Sequence, residues 1–286
     1  MAAMRMTAVV FGGAGRLGAV IARELTANGA HVMTVSRRGE VAADVADPVS
    51  RRELLDTLPT MLGAGRRVVL VDAVLDRSSV AAMRASLAGA AETIATAADR
   101  LAAVGCDVQI VAASTTAVLA PLPYRTPYGR AKLRQLSRYA AADVPVCALL
   151  LPMLRDTPPD ETWRPWRLAC FPRIVWPYQQ AAAALAEECF NGASGPGVRV
   201  KAPTDQATCP VGDCREDACR VVSAVAAGLA AVPFSLARFT GRRRSPAVRR
   251  YASYCLLHLT PRRVRVRLDH HLAPHQRVSR LTRRLL

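Results

Sequence analysis

Apolar positions along the chain follow two alternating rhythms. Short, largely apolar runs at residues 7–11, 30–36, 66–74, 107–114, 144–152 and 197–203 are separated by longer segments with apolar residues every three or four positions. The short runs suit strands buried on both faces, and the wider spacing marks helices with one buried face. The helical segments fall at 19–29, 51–62, 79–104, 128–141 and 177–192, the first closing on Asn28-Gly29, a common C-terminal stop. This alternation predicts the α/β class: a doubly wound parallel sheet covered by helices on both faces and complete by about residue 201. The chain then reads as a helical segment over 202–241, on the substrate side of such a sheet. A basic, proline-punctuated, arginine-rich C-terminal extension over 242–286 completes it.

Composition changes this picture mainly at the C-terminus. Half of the 286 residues are hydrophobic, enough for a large core. The net charge is +17, but residues 242–286 hold thirteen arginines against the single acid Asp269, leaving +5 for the body. A tail of arginines interleaved with valine and leucine suits contact with an acidic partner or a membrane surface. Nucleic acid is not the expected partner, because no recognisable reading module accompanies the charge. The first strand begins without a cleavable apolar leader, so the eight cysteines are expected to be reduced and the protein cytoplasmic. The apolar stretch 221–239 is broken by Pro233 and reads as a buried helix pair rather than a membrane span. Cys209, Cys214 and Cys219 are five apart, too wide for the usual zinc pairs even with His270, His271 and His275 nearby, so no metal is expected.

The most informative stretch is "VVFGGAGRLGAVIARELTANGAHVMTVSRR". Gly12, Gly15 and Gly18 stand three apart, after a strand and at the opening of a helix. Glycine there permits a sharp turn, close approach to a pyrophosphate and tight packing of helix on strand. The helix N-terminus adds free N–H groups and partial positive charge, with Arg16 and Leu17 beside the phosphates. An acid closing the second strand would grip the ribose of NAD. Ser36, Arg37 and Arg38 stand there instead, a hydroxyl and guanidinium forks that suit a 2′-phosphate. The expected cofactor is therefore NADP in preference to NAD, and Arg16 is placed to reach the same phosphate.

Candidate chemistry centres on "YRTPYGRAKLRQL". Only two lysines, Lys132 and Lys201, stand among 39 basic residues. Lys132 follows Tyr128 by one helical turn, on the same face. A site needing a compact ammonium beside a phenol excludes the larger, planar guanidinium. The ammonium is expected to lower the phenol's pKa from about 10, so that Tyr128 exchanges a proton with a carbonyl oxygen. Hydroxyls at the end of the preceding strand, Ser114 or Thr115, with Thr116 a third candidate, would orient that oxygen.

Taken together, "GGAGRLG", "SRR", "ADVAD", Ser114-Thr115 and Tyr128-x-x-x-Lys132 resemble the short-chain dehydrogenase/reductase family over roughly residues 6–201. The every-third glycine spacing, with Phe11 where threonine is usual, is similar to its extended or atypical branches. The resemblance implies a Rossmann-type NAD(P)-binding domain over 1–201, with Asp44 and Val45 at the adenine and Pro152 beside the nicotinamide. It also implies that Tyr128, Lys132 and Ser114 or Thr115 are catalytic, and that Lys132 holds the nicotinamide ribose. The chain departs from the family where Asn-Ala-Gly is frequent on the fourth strand and "VDAVLD" stands here. The activity implied is NADP-dependent reduction of a small or natural-product-like carbonyl. Two alternatives stay open: an NAD-dependent nucleotide-sugar epimerase or dehydratase, and a catalytically degenerate dinucleotide sensor or scaffold. The expected partners are a small-molecule substrate, a second copy of the chain in a homodimer, and the tail's acidic or membrane contact. Trp163, Trp166, Phe171 and Trp176 are candidates for an apolar substrate pocket.

Overall fold

The computed structural model describes residues 6–115, 118, 127–151, 153–155, 175–192 and 197–201. Thr116, Pro152, Trp163, Trp166, Phe171, the spaced cysteines and the whole of 202–286 lie outside them. The predicted alternation holds. In chain order the elements are β1 (Thr7–Phe11), α1 (Arg16–Ala27), β2 (His31–Ser36), β3 (Val41–Ala42), α2 (Pro48–Leu62), β4 (Arg67–Asp72), α3 (Val80–Ala103), β5 (Asp107–Thr115), α4 (Pro127–Ala140), β6 (Pro145–Leu151), β7 (Met153–Arg155), β8 (Val175–Pro177), α5 (Tyr178–Asn191) and β9 (Gly197–Lys201).

Seven strands form one parallel sheet in the order β3-β2-β1-β4-β5-β6-β9, which is the Rossmann-type arrangement; β7 and β8 make a separate parallel pair. Strand β1 shows why its apolar run is unbroken. Val9 and Phe11 enter the core under α2, α3 and α4, with Leu58, Ile94 and Leu136. Ala8 and Val10 enter the opposite core under α1 and α5, with Ile21, Leu25 and Leu185. Alternate side chains of one strand thus feed two separate cores, and a polar residue on either face would be buried.

The sequence pattern missed three features, each for a local reason. Helix α2 starts at Pro48, three residues before the periodic run, because Asp47 caps it by accepting a hydrogen bond from Ser50 N at 2.8 Å and Pro48 fits the first turn. Strand β3 is two residues long, too short for a period to register. Strands β7 and β8 have three residues each and pair across a long separation in sequence.

Strand order reverses at β1, whose two neighbours are β2 and β4. A crevice opens at such a point, beyond the strands' C-terminal ends, and ligands of open α/β sheets bind there. The glycine turn, the end of β4 and the end of β5 all meet this edge.

Candidate active site

At the switch point the glycines are required by contact. Gly12 has φ +78°, and a Cβ there would sit 2.8 Å from Ala73 O, just past β4. A Cβ on Gly18 would lie 2.2 Å from Gly12 O, so α1 presses directly on the turn. Gly15 caps α1 without a side-chain hydrogen bond, and no acid occupies the first turn. The helix therefore presents its N-terminal N–H groups and partial positive charge to the crevice with nothing of its own to neutralise them. Arg16 is exposed at that terminus, and Leu17 packs against the core under α1.

The end of β2 carries the expected basic pair. Arg37 and Arg38 are exposed, and Arg37 reaches Asp76 on the β4–α3 loop at 3.4 Å. Asp76 has its pKa lowered by the Ser78 hydroxyl first, and by Arg37 among smaller contributions. Ser36 accepts a hydrogen bond from Arg38 N at 3.3 Å, which shapes the turn. Beyond it, Asp44 Oδ1 accepts from Ala46 N at 2.9 Å, while Val45 is buried. Gly12–Gly18, Ser36–Arg38 and Asp44–Val45 thus lie at or just past the C-terminal ends of β1, β2 and β3, three neighbouring strands of the sheet.

Tyr128 and Lys132 stand one turn apart at the start of α4, and Ser114 and Thr115 close β5 beside them. Ser114 Oγ is buried without a hydrogen-bond partner among the described residues. A buried hydroxyl in that condition costs free energy unless something else completes it, and a ligand oxygen would. Thr115 is half-buried.

The surroundings of Lys132 depart from expectation. Its side chain is 3 % exposed, and its ammonium turns inward, donating to Ala113 O and Gln135 Oε1, each at 2.8 Å. Asp72 Oδ2 lies 3.7 Å away, its carboxylate wholly buried. That oxygen also accepts from Tyr139 OH at 3.0 Å, and Asp72 Oδ1 accepts from Val74 N at 3.1 Å. Burial lowers the pKa of Lys132, and Asp72 opposes that shift.

Tyr128 consequently does not have the depressed pKa that its spacing from Lys132 suggests. Burial pushes the phenol up to about 12; Arg77 pulls the other way, and Asp72 adds to the rise. The correction has a plain cause. Burial outweighs the charges around the phenol, and Asp72, beside the ammonium, adds to the rise.

Sequence reasoning passed over Asp72, Gln135 and Tyr139. A usable signal existed for the first, because an acid ending the buried run "RVVLVD" must find a partner. A cavity of about 390 Å³ lies on the outer side of this network, between α3 and α4. It is lined by Arg84, Arg130, Arg134 and Arg138 and reaches Gln135. Arg138 there pairs with Glu92 at 3.0 Å. Among the described residues no cluster of metal-binding side chains occurs, and no helix is long and apolar enough to cross a membrane. Cys106, Cys147 and Cys189 are free thiols.

No family model matches the sequence, and no curated protein matches it. Solved structures do share the fold. A short chain dehydrogenase/reductase family protein is 20% identical, with a TM-score of 0.52 over 70% of this chain and 97% of that one. A short chain dehydrogenase from Burkholderia cenocepacia in complex with NADP is 18% identical, with a TM-score of 0.50 over 68% and 92%. The 3-alpha-hydroxysteroid dehydrogenase from Pseudomonas sp., complexed with NADH, is 15% identical, with a TM-score of 0.50 over 71% and 97%. At such identities the likeness is one of fold. The chain has the Rossmann-type architecture on which these dehydrogenases are built.

Proposed function

We propose that the protein is an NADP-dependent oxidoreductase of the short-chain dehydrogenase/reductase type that reduces a small carbonyl compound. The observation that carries this reading is the convergence at one sheet edge of an uncapped glycine-turn helix, an unpartnered Ser114 hydroxyl and the Tyr128/Lys132 pair on α4. Arg37 and Arg38, with no acid ending β2, favour a 2′-phosphate over a bare ribose. A bound nicotinamide supplies the hydride. The chain's own residues do the rest. Ser114, or Thr115 in its place, donates a hydrogen bond to the carbonyl oxygen and stabilises the charge that develops there. A phenol with a pKa near 12 is protonated across the physiological range, so Tyr128 suits the role of proton donor to that oxygen. An ammonium has three donors, and two of those on Lys132 are committed to Ala113 and Gln135. In this reading the third, with Asp72 Oδ2 3.7 Å from the ammonium, is the donor for a ribose hydroxyl.

The test is a Tyr128→Phe variant, assayed for carbonyl-dependent NADPH oxidation beside direct titrations of NADPH and NADH. Turnover is expected to fall by about 100-fold or more, with NADPH affinity retained and tighter than NADH affinity. Undiminished turnover in the variant would remove Tyr128 from the chemistry. Preference for NADH would remove the assigned role of the arginine pair.

A further inference from the structure

Lys132 is an ammonium almost sealed from water, and an unpaired charge in that position is strongly disfavoured. We infer that Asp72 is the counter-ion and positioning residue of Lys132: a carboxylate fixed at the end of β4 that keeps the α4 ammonium charged and holds it below the Tyr128 phenol. The inference concerns the same site as the proposed function and deepens that reading.

Three features argue that the carboxylate is placed rather than incidental. Asp72 has no exposed surface, and each of its oxygens is engaged, Oδ1 by Val74 N and Oδ2 by Tyr139 OH. Its position is therefore set by the backbone of its own strand end and by a phenol from α4, not by Lys132 alone. The ion-pair distance of 3.7 Å exceeds a normal hydrogen bond, whereas Ala113 O and Gln135 Oε1 are at 2.8 Å. Neutral acceptors thus orient the ammonium and the carboxylate balances its charge. Gln135 is itself tied down, donating to Leu87 O on α3 at 3.4 Å. Helices α3 and α4 and strands β4 and β5 all contribute to the network, α4 with both Gln135 and Tyr139.

The titratable group acting on the ammonium is Asp72 from β4; Tyr139, on the helix of Lys132, donates to the same carboxylate, and Arg77 from the β4–α3 loop acts on Tyr128. From α3 and β5 the network receives backbone carbonyls. Asp72 balances the ammonium while burial keeps the Tyr128 phenol protonated, which suits the site to proton donation rather than proton removal.

The chain's two lysines make the test direct. Protein labelled with ¹³C at lysine Cε gives two lysine signals, assigned with a Lys201→Arg variant and titrated through the alkaline range. Asp72→Asn is expected to lower the Lys132 midpoint by about one pH unit or more, a tenfold loss of proton affinity. Tyr139→Phe removes one hydrogen bond from the carboxylate and leaves both charges, so the midpoint is expected to rise; this variant decides the matter if Asp72→Asn does not fold. A Lys132 midpoint unmoved in whichever variants fold overturns the inference, even where thermal stability falls. The readout needs no substrate. A protein that turns over no carbonyl yet shows both shifts loses its proposed function and keeps the ion pair. An active enzyme with unmoved midpoints loses only the role of Asp72.

Discussion

Gly18 and Gly29 separate two reasons for a glycine. At Gly29 φ is +84° and a Cβ would meet nothing within 4 Å, so alanine there brings backbone strain alone. At Gly18 the backbone is ordinary, but the Cβ would lie 2.2 Å from Gly12 O. Alanine must therefore lift α1 away from the turn that faces the crevice. Gly18→Ala is expected to destabilise the fold by roughly 1–3 kcal/mol and to weaken NADPH binding. Gly29→Ala loses about 1–2 kcal/mol with binding intact. Urea unfolding and cofactor titration of both variants check this; equal binding by the two would show that the turn tolerates the displacement. Residues of this kind are legible in sequence because spacing encodes their geometry. Lys132 was legible as an oddity, one of two lysines among 39 basic residues. Its partner was not, because Asp72 is distant in sequence and only the folding of α4 over β4 brings the two together. The phenol's raised pKa was illegible for the same reason, since burial sets it and spacing does not record burial.

The helices show where periodicity stops being informative. Five helical segments were visible, but a period marks the buried face and says nothing of the first turn, which capping decides. Asp47 and Pro48 start α2 as Ser79 starts α3, by accepting a backbone hydrogen bond from three residues ahead, at 2.8 Å and 2.9 Å. Asp47→Ala is expected to lower stability by about 1 kcal/mol, read as a shift in the urea midpoint. Asp47→Asn or Asp47→Ser should recover most of it, since each restores an acceptor. No loss in the alanine variant would mean that α2 is held by its buried leucines alone. The short strands were invisible for a different reason. Strand β3 owes its existence to pairing with Val35 and Ser36 of β2, so the signal lies in the partner. Helix α3 adds a contact between elements that no pattern announces: a Cβ on Gly89 would sit 1.8 Å from Val45 O. The loop assigned to the adenine thus rests directly on this helix.

Across the whole molecule, both lysines bind buried carboxylates, and they do so on opposite faces of the sheet. Lys132 meets Asp72 under α4, whereas Lys201 on β9 pairs with Glu188 of α5. Glu188 also takes Arg199 at 3.1 Å and the Cys147 thiol at 3.2 Å, and its carbonyl accepts from Gln109 on β5. One acid therefore ties α5 to three neighbouring strands. This hub has a consequence for pH. Burial first, then Glu188, pushes the Cys147 thiol up to about 12; burial first, then Cys147, does the same to Cys189. The ordinary value is 9.0 for both. A group whose folded pKa is raised stabilises the fold fully below its unfolded pKa and loses that contribution as pH climbs through the folded one. Stability should therefore fall from about pH 9 toward pH 12, by up to about 1.4 kcal/mol per pH unit for each thiol. Tyr128 and Tyr139, also raised, join in only above about pH 10. Lys132 is shifted down and acts oppositely, but equally in any variant that keeps it. The discriminating window is thus pH 9 to 10, comparing wild type with a Cys147→Ser, Cys189→Ala double variant by urea unfolding. The double variant should be less stable near neutrality, because the cavity left at Cys189 does not titrate, yet show the shallower decline with pH. Parallel declines would mean that the thiols ionise without unfolding, and that α5 does not seal them from solvent.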